Sequence, residues 1–127
     1  MAITAKTLVS TVVPTMLNSV LRTSGFEDQF YVHNAANAIR GTSTLTPWLY
    51  ATASGTSIAL AGPVVISVSA GSTGTDGVVK IGFVRISTGV DDPIYVYTVT
   101  ISPAEEFTYA GTITITSATI SISTTMA

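Results

Sequence analysis

The residues best suited to chemistry are few in this sequence, and their spacing argues against an enzyme. His33 is the only histidine and lies among aromatic residues and asparagines, without the His, Cys or carboxylate spacing that a transition metal requires. A serine nucleophile would need this histidine and an orienting acid, and no Gly-x-Ser-x-Gly elbow occurs. We therefore predict no catalytic, cofactor-binding or metal-binding residues, and we interpret His33 as a structural or interface side chain.

The carboxylates that could act together form two adjacent pairs and one single residue. They are Asp76, Asp91, Asp92, Glu105 and Glu106. Their oxygens could bind calcium, but no EF-hand spacing or comparable loop accompanies them. Adjacent carboxylates point in divergent directions on a strand, so neither pair can flank a glycosidic bond as a glycosidase requires. We interpret these residues as solvated loop charge.

Two further patterns resemble ligand-binding motifs. Residues 71–77 look like a phosphate-binding loop but lack the Lys-Ser/Thr ending and a following helix, so we predict a flexible hairpin connection. Trp48 and Tyr50 are two residues apart on a predicted strand and therefore share a face. That face could stack on a sugar, although core or interface packing is the commoner role of such aromatics.

Composition excludes several classes of protein. Of the 127 residues, 46% are apolar and only 9% are charged, and the mean hydropathy is +0.54, which excludes a disordered chain. The net charge of -2 excludes a strongly basic nucleic-acid interface, and the lack of cysteine excludes disulfides. The longest uncharged apolar run, residues 58–66, is far shorter than the roughly 20 residues of a membrane-spanning helix. The start of the chain has no signal-peptide pattern, so we expect a protein made and kept in the cytoplasm.

The later two thirds of the chain have the composition of β-strands. Thr and Ser make up 36 of the 127 residues, most of them between Ile, Val or Leu, and β-branched residues suit a pleated sheet. Short strands separated by frequent turn signals are typical of an antiparallel β-sandwich or small barrel. The predicted strands are residues 45–53, 56–61, 64–70, 78–87, 94–101, 107–109 and 112–123. We therefore predict a mainly β fold of this kind with a short N-terminal helix or arm.

The first 25 residues have a different pattern. Apolar pairs repeat every four residues from Leu8 to Leu21, which is close to the period of a helix. We predict a helix over residues 14–24, with Pro14 at its first position and Gly25 as its C-terminal cap, preceded by a helical turn or an extended arm. A wholly β start is the alternative, because several of these residues are β-branched.

The domain organisation follows from these patterns. Residues 26–44 mix aromatics, acidic residues and asparagines without a clear period, so we predict an irregular connection, which could include a strand at residues 29–33. The arm or helix at residues 1–25, this connection and a β body at residues 45–125 are predicted to form one domain, because 127 residues are one domain's worth of chain.

Charged side chains are missing from two long segments, residues 41–75 and 107–127. Soluble monomers normally protect the edge strands of a sheet with charge or proline, because an open edge pairs readily with another chain. The uncharged closing segment therefore predicts either a central strand or an edge that a partner covers.

The closing segment also changes phase. Ile113 and Ile115 occupy odd positions, whereas Ile120 and Ile122 occupy even ones. Because side chains alternate with a period of two, we predict a β-bulge or a bend within residues 116–119 that keeps all four isoleucines on one core. The alternative is a straight strand whose second half presents its isoleucines to a neighbouring subunit.

The low charge, the Thr- and Ser-rich strands, the predicted N-terminal arm and the lack of a catalytic constellation resemble a small virion structural protein of a tailed bacteriophage. The resemblance is one of layout and composition over most of the chain. It implies a non-enzymatic capsid cement or decoration protein in the virion, made in the host cytoplasm, that binds other virion proteins such as the major capsid protein. It also implies a homo-oligomer such as a trimer, held together by many modest contacts, with no nucleic-acid or membrane partner.

Two alternatives to this function remain open. One is a phage tail or baseplate component, and the other is an adhesin or carbohydrate-binding β-sandwich that uses Trp48, Tyr50 and a face shared by Tyr95 and Tyr97. The residues predicted to lie in an interface between chains are Leu8, Val12, Met16, Trp48, Tyr50, Ile120 and Ile122.

Overall fold

The computed structural model describes residues 6–7, 12–22, 24–87, 93–121 and 125–126. One α-helix, α1, covers Val12–Leu21. In chain order the strands are β1 (Lys6–Thr7), β2 (Phe26–His33), β3 (Ile39–Ser43), β4 (Ser57–Ala59), β5 (Val64–Val68), β6 (Val78–Ser87), β7 (Pro93–Glu105), β8 (Gly111–Ile115), β9 (Thr119–Ser121) and β10 (Thr125–Met126). No helix in these ranges has the length and apolar character needed to cross a membrane.

The named strands pair only in the antiparallel sense and form three sheets. The largest has six strands in the order β7-β6-β2-β3-β5-β8 and curls into a half-barrel. The pairs β1-β10 and β4-β9 form two smaller sheets. The prediction of a mainly β fold, an antiparallel β-sandwich or small barrel with a short N-terminal helix or arm, is therefore confirmed as a mainly β antiparallel fold with a short N-terminal helix.

The chain divides into two compact units. The first comprises Met1–Ser24, Trp48–Gly62 and Ser117–Ala127, and the second comprises Gly25–Pro47 and Pro63–Thr116. The buried apolar side chains of the first unit are Val13, Leu17, Leu21, Leu49, Tyr50 and Ile58. Those of the second unit are Phe30, Val32, Val64, Ile66, Val68, Val78, Phe83 and Val84. That the whole chain forms one domain stays a prediction.

Helix α1 forms in the N-terminal region, as the four-residue repeat predicts, but its bounds differ from the prediction. The helix begins two residues before Pro14. The first four N–H groups of a helix have no intrahelical acceptor, so proline is tolerated as the third residue as well as the first. The helix ends at Leu21, and Gly25, with a φ of 89°, lies in the turn before β2 instead of capping the helix.

The interior of the first unit is organised by one face of α1. Val13, Leu17 and Leu21 are spaced by four residues and are all buried. On the same helix, the side-chain oxygen of Asn18 accepts a hydrogen bond of 2.9 Å from the backbone N–H of Ala53. The helix is thus joined to the rest of its unit by apolar burial and by a backbone contact.

The prediction that residues 26–44 are an irregular connection is wrong, because β2 and β3 form there, although the strand considered at residues 29–33 does lie within β2. β2 lies inside the six-stranded sheet, between β6 and β3. Its residues Asp28, Phe30 and Val32 are buried, whereas the intervening Tyr31 is half-buried. Because the acidic Asp28 lies on the buried face and the aromatic Tyr31 on the other, the sequence of β2 does not alternate between apolar and polar residues as a half-buried strand normally does.

Two predicted strands do not form. Residues 45–53 have only isolated bridges at Thr46 and Tyr50. Pro47 lies between them and lacks the backbone N–H that a continuous ladder requires. Residues 107–109 likewise contribute only one isolated bridge, between Phe107 and Ser72.

The predictions for β5 and β6 are correct in position. β6 has the predicted bounds, and β5 begins at the predicted residue. Along β5, Val64, Ile66 and Val68 are buried and the residues between them are exposed. This strict alternation is what a half-buried antiparallel strand produces.

The uncharged closing segment forms two strands in different sheets. In β8, Ile113 lies opposite Ile66 of β5, and Ile115 lies opposite Val64. Directly opposite residues of an antiparallel pair share a face, so both isoleucines of β8 lie on the buried face of the six-stranded sheet.

The second half of this segment belongs to the other compact unit. β9 pairs with β4, where Ile120 lies opposite the buried Ile58. Residues 116–118 interrupt the strand. The strand is thus interrupted where the sequence predicts a bulge or a bend. A single continuing strand, bulged or straight, is nevertheless wrong, because the chain leaves one sheet and enters another. Ile122 lies outside the described residues.

Candidate functional site

The six-stranded sheet ends in two edge strands, β7 and β8, and neither pairs with a further strand among the described residues. An edge strand presents backbone N–H and C=O groups that another chain can pair with. The two edge strands differ in the regularity of their pairing and in their proline and charge content. This difference decides which edge could bind another chain, so we treat the two edges as the candidate functional site.

β7 is an irregular edge strand. Tyr97 lies opposite Phe83, and Tyr95 lies opposite Val84, the next residue of β6, so Val96 is an extra residue in a β-bulge. The bulge turns Tyr95 and Tyr97 to opposite faces, and the prediction that they share a face is therefore wrong. The ring of Tyr97 packs on that of Phe83 with a centroid distance of 5.4 Å.

Further features protect the β7 edge. Its register with β6 shifts a second time, between Val78 and Lys80. Pro93 and Pro103 of β7 lack backbone N–H donors. Bulges and prolines are the usual means by which edge strands avoid pairing with other chains. β7 is therefore protected, even though Ile94 is 56% exposed.

β8 has none of these protective features. Its five residues pair with β5 without a shift in register. β8 contains neither proline nor charge, and no charged residue occurs from residue 107 to residue 127. Thr112 and Thr114 are exposed, while Ile113 and Ile115 are half-buried on the other face. The alternative of a central strand is wrong for β8, which forms the unprotected edge of the described sheet.

An aromatic cluster lies on the face of the sheet that carries Tyr95. Gly82 of β6 makes room for the ring, because a Cβ atom there would lie 2.8 Å from Cε2 of Tyr95. The ring reaches β2, where its centroid is 6.2 Å from that of Tyr31 and 5.6 Å from that of His33. Tyr95 is exposed and His33 is buried. Sequence reasoning missed this cluster, because 62 residues separate His33 from Tyr95.

Two hydrogen bonds determine the tautomer of His33. Nδ1 lies 3.1 Å from the carbonyl oxygen of Asn37, which can only accept, so Nδ1 carries the proton. Nε2 therefore accepts the hydrogen bond from the Tyr95 hydroxyl, at 2.9 Å. Both ring nitrogens of His33 thus have hydrogen-bond partners within the sheet and the turn that follows β2.

Burial changes the acidity of both partners. It lowers the pKa of His33; the hydrogen bond to the Asn37 carbonyl opposes this change, and the positive charge of Lys80 adds to it. Burial also raises the pKa of Tyr95, and the neighbouring Tyr31 contributes in the same direction. Both side chains are therefore held in their neutral forms.

This direction of shift predicts a loss of stability in mild acid. In the unfolded chain His33 binds a proton near the ordinary pKa of about 6.5, whereas in the folded chain its pKa is lower. The contribution of neutral His33 to stability is therefore complete above about pH 6.5 and declines as the pH falls below it. Urea unfolding at pH 7.5 and pH 5.0 should show a larger decrease for the native protein than for His33→Gln. Equal decreases in the two proteins would contradict this prediction.

A second prediction concerns the space that Gly82 provides. Gly82→Ala should destabilise the fold by about 1–3 kcal/mol, because the new Cβ displaces the Tyr95 ring. In a Tyr95→Ala background the same substitution should cost much less, and thermal unfolding of the four proteins measures this coupling. If Gly82→Ala lowered stability equally in both backgrounds, the Tyr95 ring would not be what requires glycine at position 82.

The segment that resembles a phosphate-binding loop has a structural role. Residues 71–77 connect β5 to β6, which are not neighbours in the sheet, so the prediction of a hairpin connection is wrong. The hydroxyl of Ser72 donates to the carbonyl of Ser69 at 2.8 Å and accepts from Nε of Arg40 at 3.0 Å. The segment is thus a crossover held by specific hydrogen bonds.

Two of the candidate calcium ligands hold this same crossover. Asp76 accepts a hydrogen bond of 2.8 Å from the Asn34 amide, and Glu106 accepts one of 2.7 Å from the backbone N–H of Gly74. The pair at residues 91–92 lies outside the described residues. Within the described part of the chain, no three His, Asp or Glu side chains are grouped so that they could hold a metal ion.

Two of the predicted interface residues, Val12 and Met16, lie one turn apart on α1. Val12 and Met16 are each 41% exposed, and Val20, one turn further along α1, is 55% exposed. These three residues, spaced by four, form an apolar stripe beside the buried face of the helix, because each directly precedes one of its buried residues. Leu8 lies outside the described residues.

The predicted aromatic platform does not form. Trp48 is exposed, and the guanidinium of Arg22 lies 4.8 Å from its ring centroid. Arg22 also donates a 2.7 Å hydrogen bond to the carbonyl of Tyr50, whose side chain is completely buried. Tyr50 therefore packs in the core and cannot share a stacking face with Trp48. Ile120 is half-buried in β9.

Comparisons of this chain with protein-family models, with curated proteins and with solved structures find no match. The geometry itself defines the chain as an antiparallel β protein whose six-stranded sheet has one protected and one unprotected edge.

Proposed function

We propose that this protein is a non-enzymatic structural subunit that joins an assembly of protein chains through the β8 edge. The observation that supports this most directly is the regular ladder of β8, which contains no charge and no proline. In a protein that works alone, such an edge is an aggregation hazard. In an assembly protein it is a binding site, because an added strand continues the ladder of hydrogen bonds.

A second surface supports the same proposal. The stripe formed by Val12, Met16 and Val20 exposes three large apolar side chains on one helix face. Neighbouring subunits that cover this stripe as well as the β8 edge would be held at two places. Contacts that are individually modest then add to give stable binding.

The assembly that we propose is a virion. The chain would act as a capsid cement or decoration protein that binds the major capsid protein or other virion subunits, and a tail or baseplate position would use the same contacts. The layout and low charge of the sequence, together with the open β8 edge, support this proposal.

Quantitative mass spectrometry of purified virus particles tests the virion proposal. Particles from the source of this sequence should contain the chain at a copy number comparable with that of a shell or tail protein. Deletion of its gene should lower the temperature at which the particles release their nucleic acid. Particles that lack the chain altogether would overturn the virion proposal.

The aromatic cluster favours a carbohydrate-binding module as a second candidate function. Tyr31 and Tyr95 are accessible rings, and Nζ of Lys80 donates a hydrogen bond to the side-chain oxygen of Asn37 beside His33. Aromatic faces flanked by amide and ammonium groups suit sugar binding. A glycan array with Tyr95→Ala as the control distinguishes this function, since loss of glycan binding in that variant would support it.

A further inference from the structure

The segment at the open edge of the sheet reads the same in both directions: Thr112, Ile113, Thr114, Ile115 and Thr116. We propose that β8 binds the β8 strand of a second copy of this chain, antiparallel and about a two-fold axis at Thr114. This inference rests on the proposed function, because it names the partner of the same edge. A two-fold contact uses the same surface on both copies, and a palindromic strand satisfies that requirement residue by residue.

Each side chain then lies opposite one of its own type. Within β8, Ile113 faces Ile115 of the second copy and Thr114 faces its own equivalent, while Thr112 faces Thr116, the residue directly after β8. Directly opposite residues share a face, so the isoleucines stay on the buried face and the threonines on the exposed face. Pairs of β-branched residues and of threonines are favourable across antiparallel strands, and no charge opposes the contact.

Pairing between two copies is less favourable in the neighbouring registers of β8 and along the β7 edge. An axis at Ile113 would set Gly111 opposite Ile115 and lose a β-branched pair. Along β7, the bulge at Val96 reverses the faces partway along the strand, so a regular two-fold ladder cannot extend across it. The self-complementary edge is therefore β8 with its axis at Thr114.

Disulfide trapping tests the register, because the chain has no cysteine of its own. In Thr114→Cys, the two Cα atoms would lie about 4.5–5.5 Å apart, within the range that a disulfide spans. In Thr112→Cys they would be offset by four residues, about 14 Å, which is too far. Mild oxidation should therefore give a covalent dimer of the first variant and not of the second. Equal cross-linking of both variants would overturn the register.

Light scattering tests the contact without a cross-link. The native protein should have twice the mass of the 13.1 kDa chain at micromolar concentration. Thr114→Lys should raise the dissociation constant at least about tenfold, because two like charges would lie opposite each other. The matched Thr98→Lys, on the protected β7 edge, should leave the mass unchanged. Circular dichroism of each variant shows whether the fold is retained.

The outcomes separate this inference from the proposed function. A native protein that is monomeric or trimeric in solution and insensitive to Thr114→Lys would overturn self-pairing. If that same protein is abundant in purified particles, the structural function stands and β8 pairs with a strand of another virion protein. If the chain dimerises as expected but is absent from particles, self-pairing stands and the virion proposal fails.

Discussion

Asp28→Asn is expected to lower the free energy of unfolding by about 3–5 kcal/mol, measured by urea denaturation. Asp28 is completely buried, and its Oδ1 atom lies 3.0 Å from Nε of Arg85, which is 6% exposed. The guanidinium also lies 4.7 Å from the ring centroid of Phe26, and its Nη2 atom has no hydrogen-bond partner among the described residues. In Asp28→Asn the amide oxygen can still accept from Nε of Arg85, but no negative charge remains to offset the lost hydration of the buried cation.

Two further variants show whether the loss of stability in Asp28→Asn comes from the unpaired charge of Arg85 or from substitution of a carboxylate in general. Asp28→Leu combined with Arg85→Met leaves no buried charge and should be less destabilised than Asp28→Asn alone. Glu105→Gln removes an exposed carboxylate from β7 and should change stability by no more than about 0.5 kcal/mol. The buried ion pair would not be important for stability if Asp28→Asn cost no more than Glu105→Gln.

Gly41→Ala should have an effect of similar size, about 3 kcal/mol or more. A Cβ atom at position 41 would lie 2.2 Å from the carbonyl oxygen of Ser67 and 3.0 Å from Cγ2 of Val32. The first contact is with the backbone of β5, so no side-chain rotation can relieve it. β3 would have to move away from β5 in the middle of the sheet. Thermal unfolding of the variant measures the cost.

Gly62→Ala is the matched control for this substitution. A Cβ atom there meets no heavy atom within 4 Å, and the backbone does not adopt a positive φ. The change should therefore be neutral, or stabilising by about 0.4–1 kcal/mol through the unfolded state. If the two alanine variants were equally stable, the close approach of β3 and β5 would not constrain the residue at position 41.

The sequence by itself determined the class of fold and the features that depend on local pattern. β-branched residues at alternate positions predict β5, because a strand turns successive side chains to opposite faces whatever the rest of the chain does, and a run rich in β-branched residues between turn signals predicts β6. The apolar pairs at four-residue spacing predict a helix near the start for the same local reason. The uncharged closing segment and the isolation of His33 are likewise evident from the order of the residues alone.

Only the tertiary structure decided which strands pair and which edge is open. The sequence offered only a strand at residues 29–33 within β2, because Asp28 is stable on a buried face only beside Arg85, which lies 57 residues further along the chain. The sequence predicts β8 and β9 as one strand because nothing in their own residues shows that they pair with different strands. β8 pairs with β5 in one sheet, and β9 pairs with β4 in another. The His33–Tyr95 bond and the bulge in β7 likewise require contacts between distant residues. The alternation of side chains along a strand depends on a few neighbouring residues. Which strands pair depends on the free energy of burying apolar surfaces that lie far apart in the sequence.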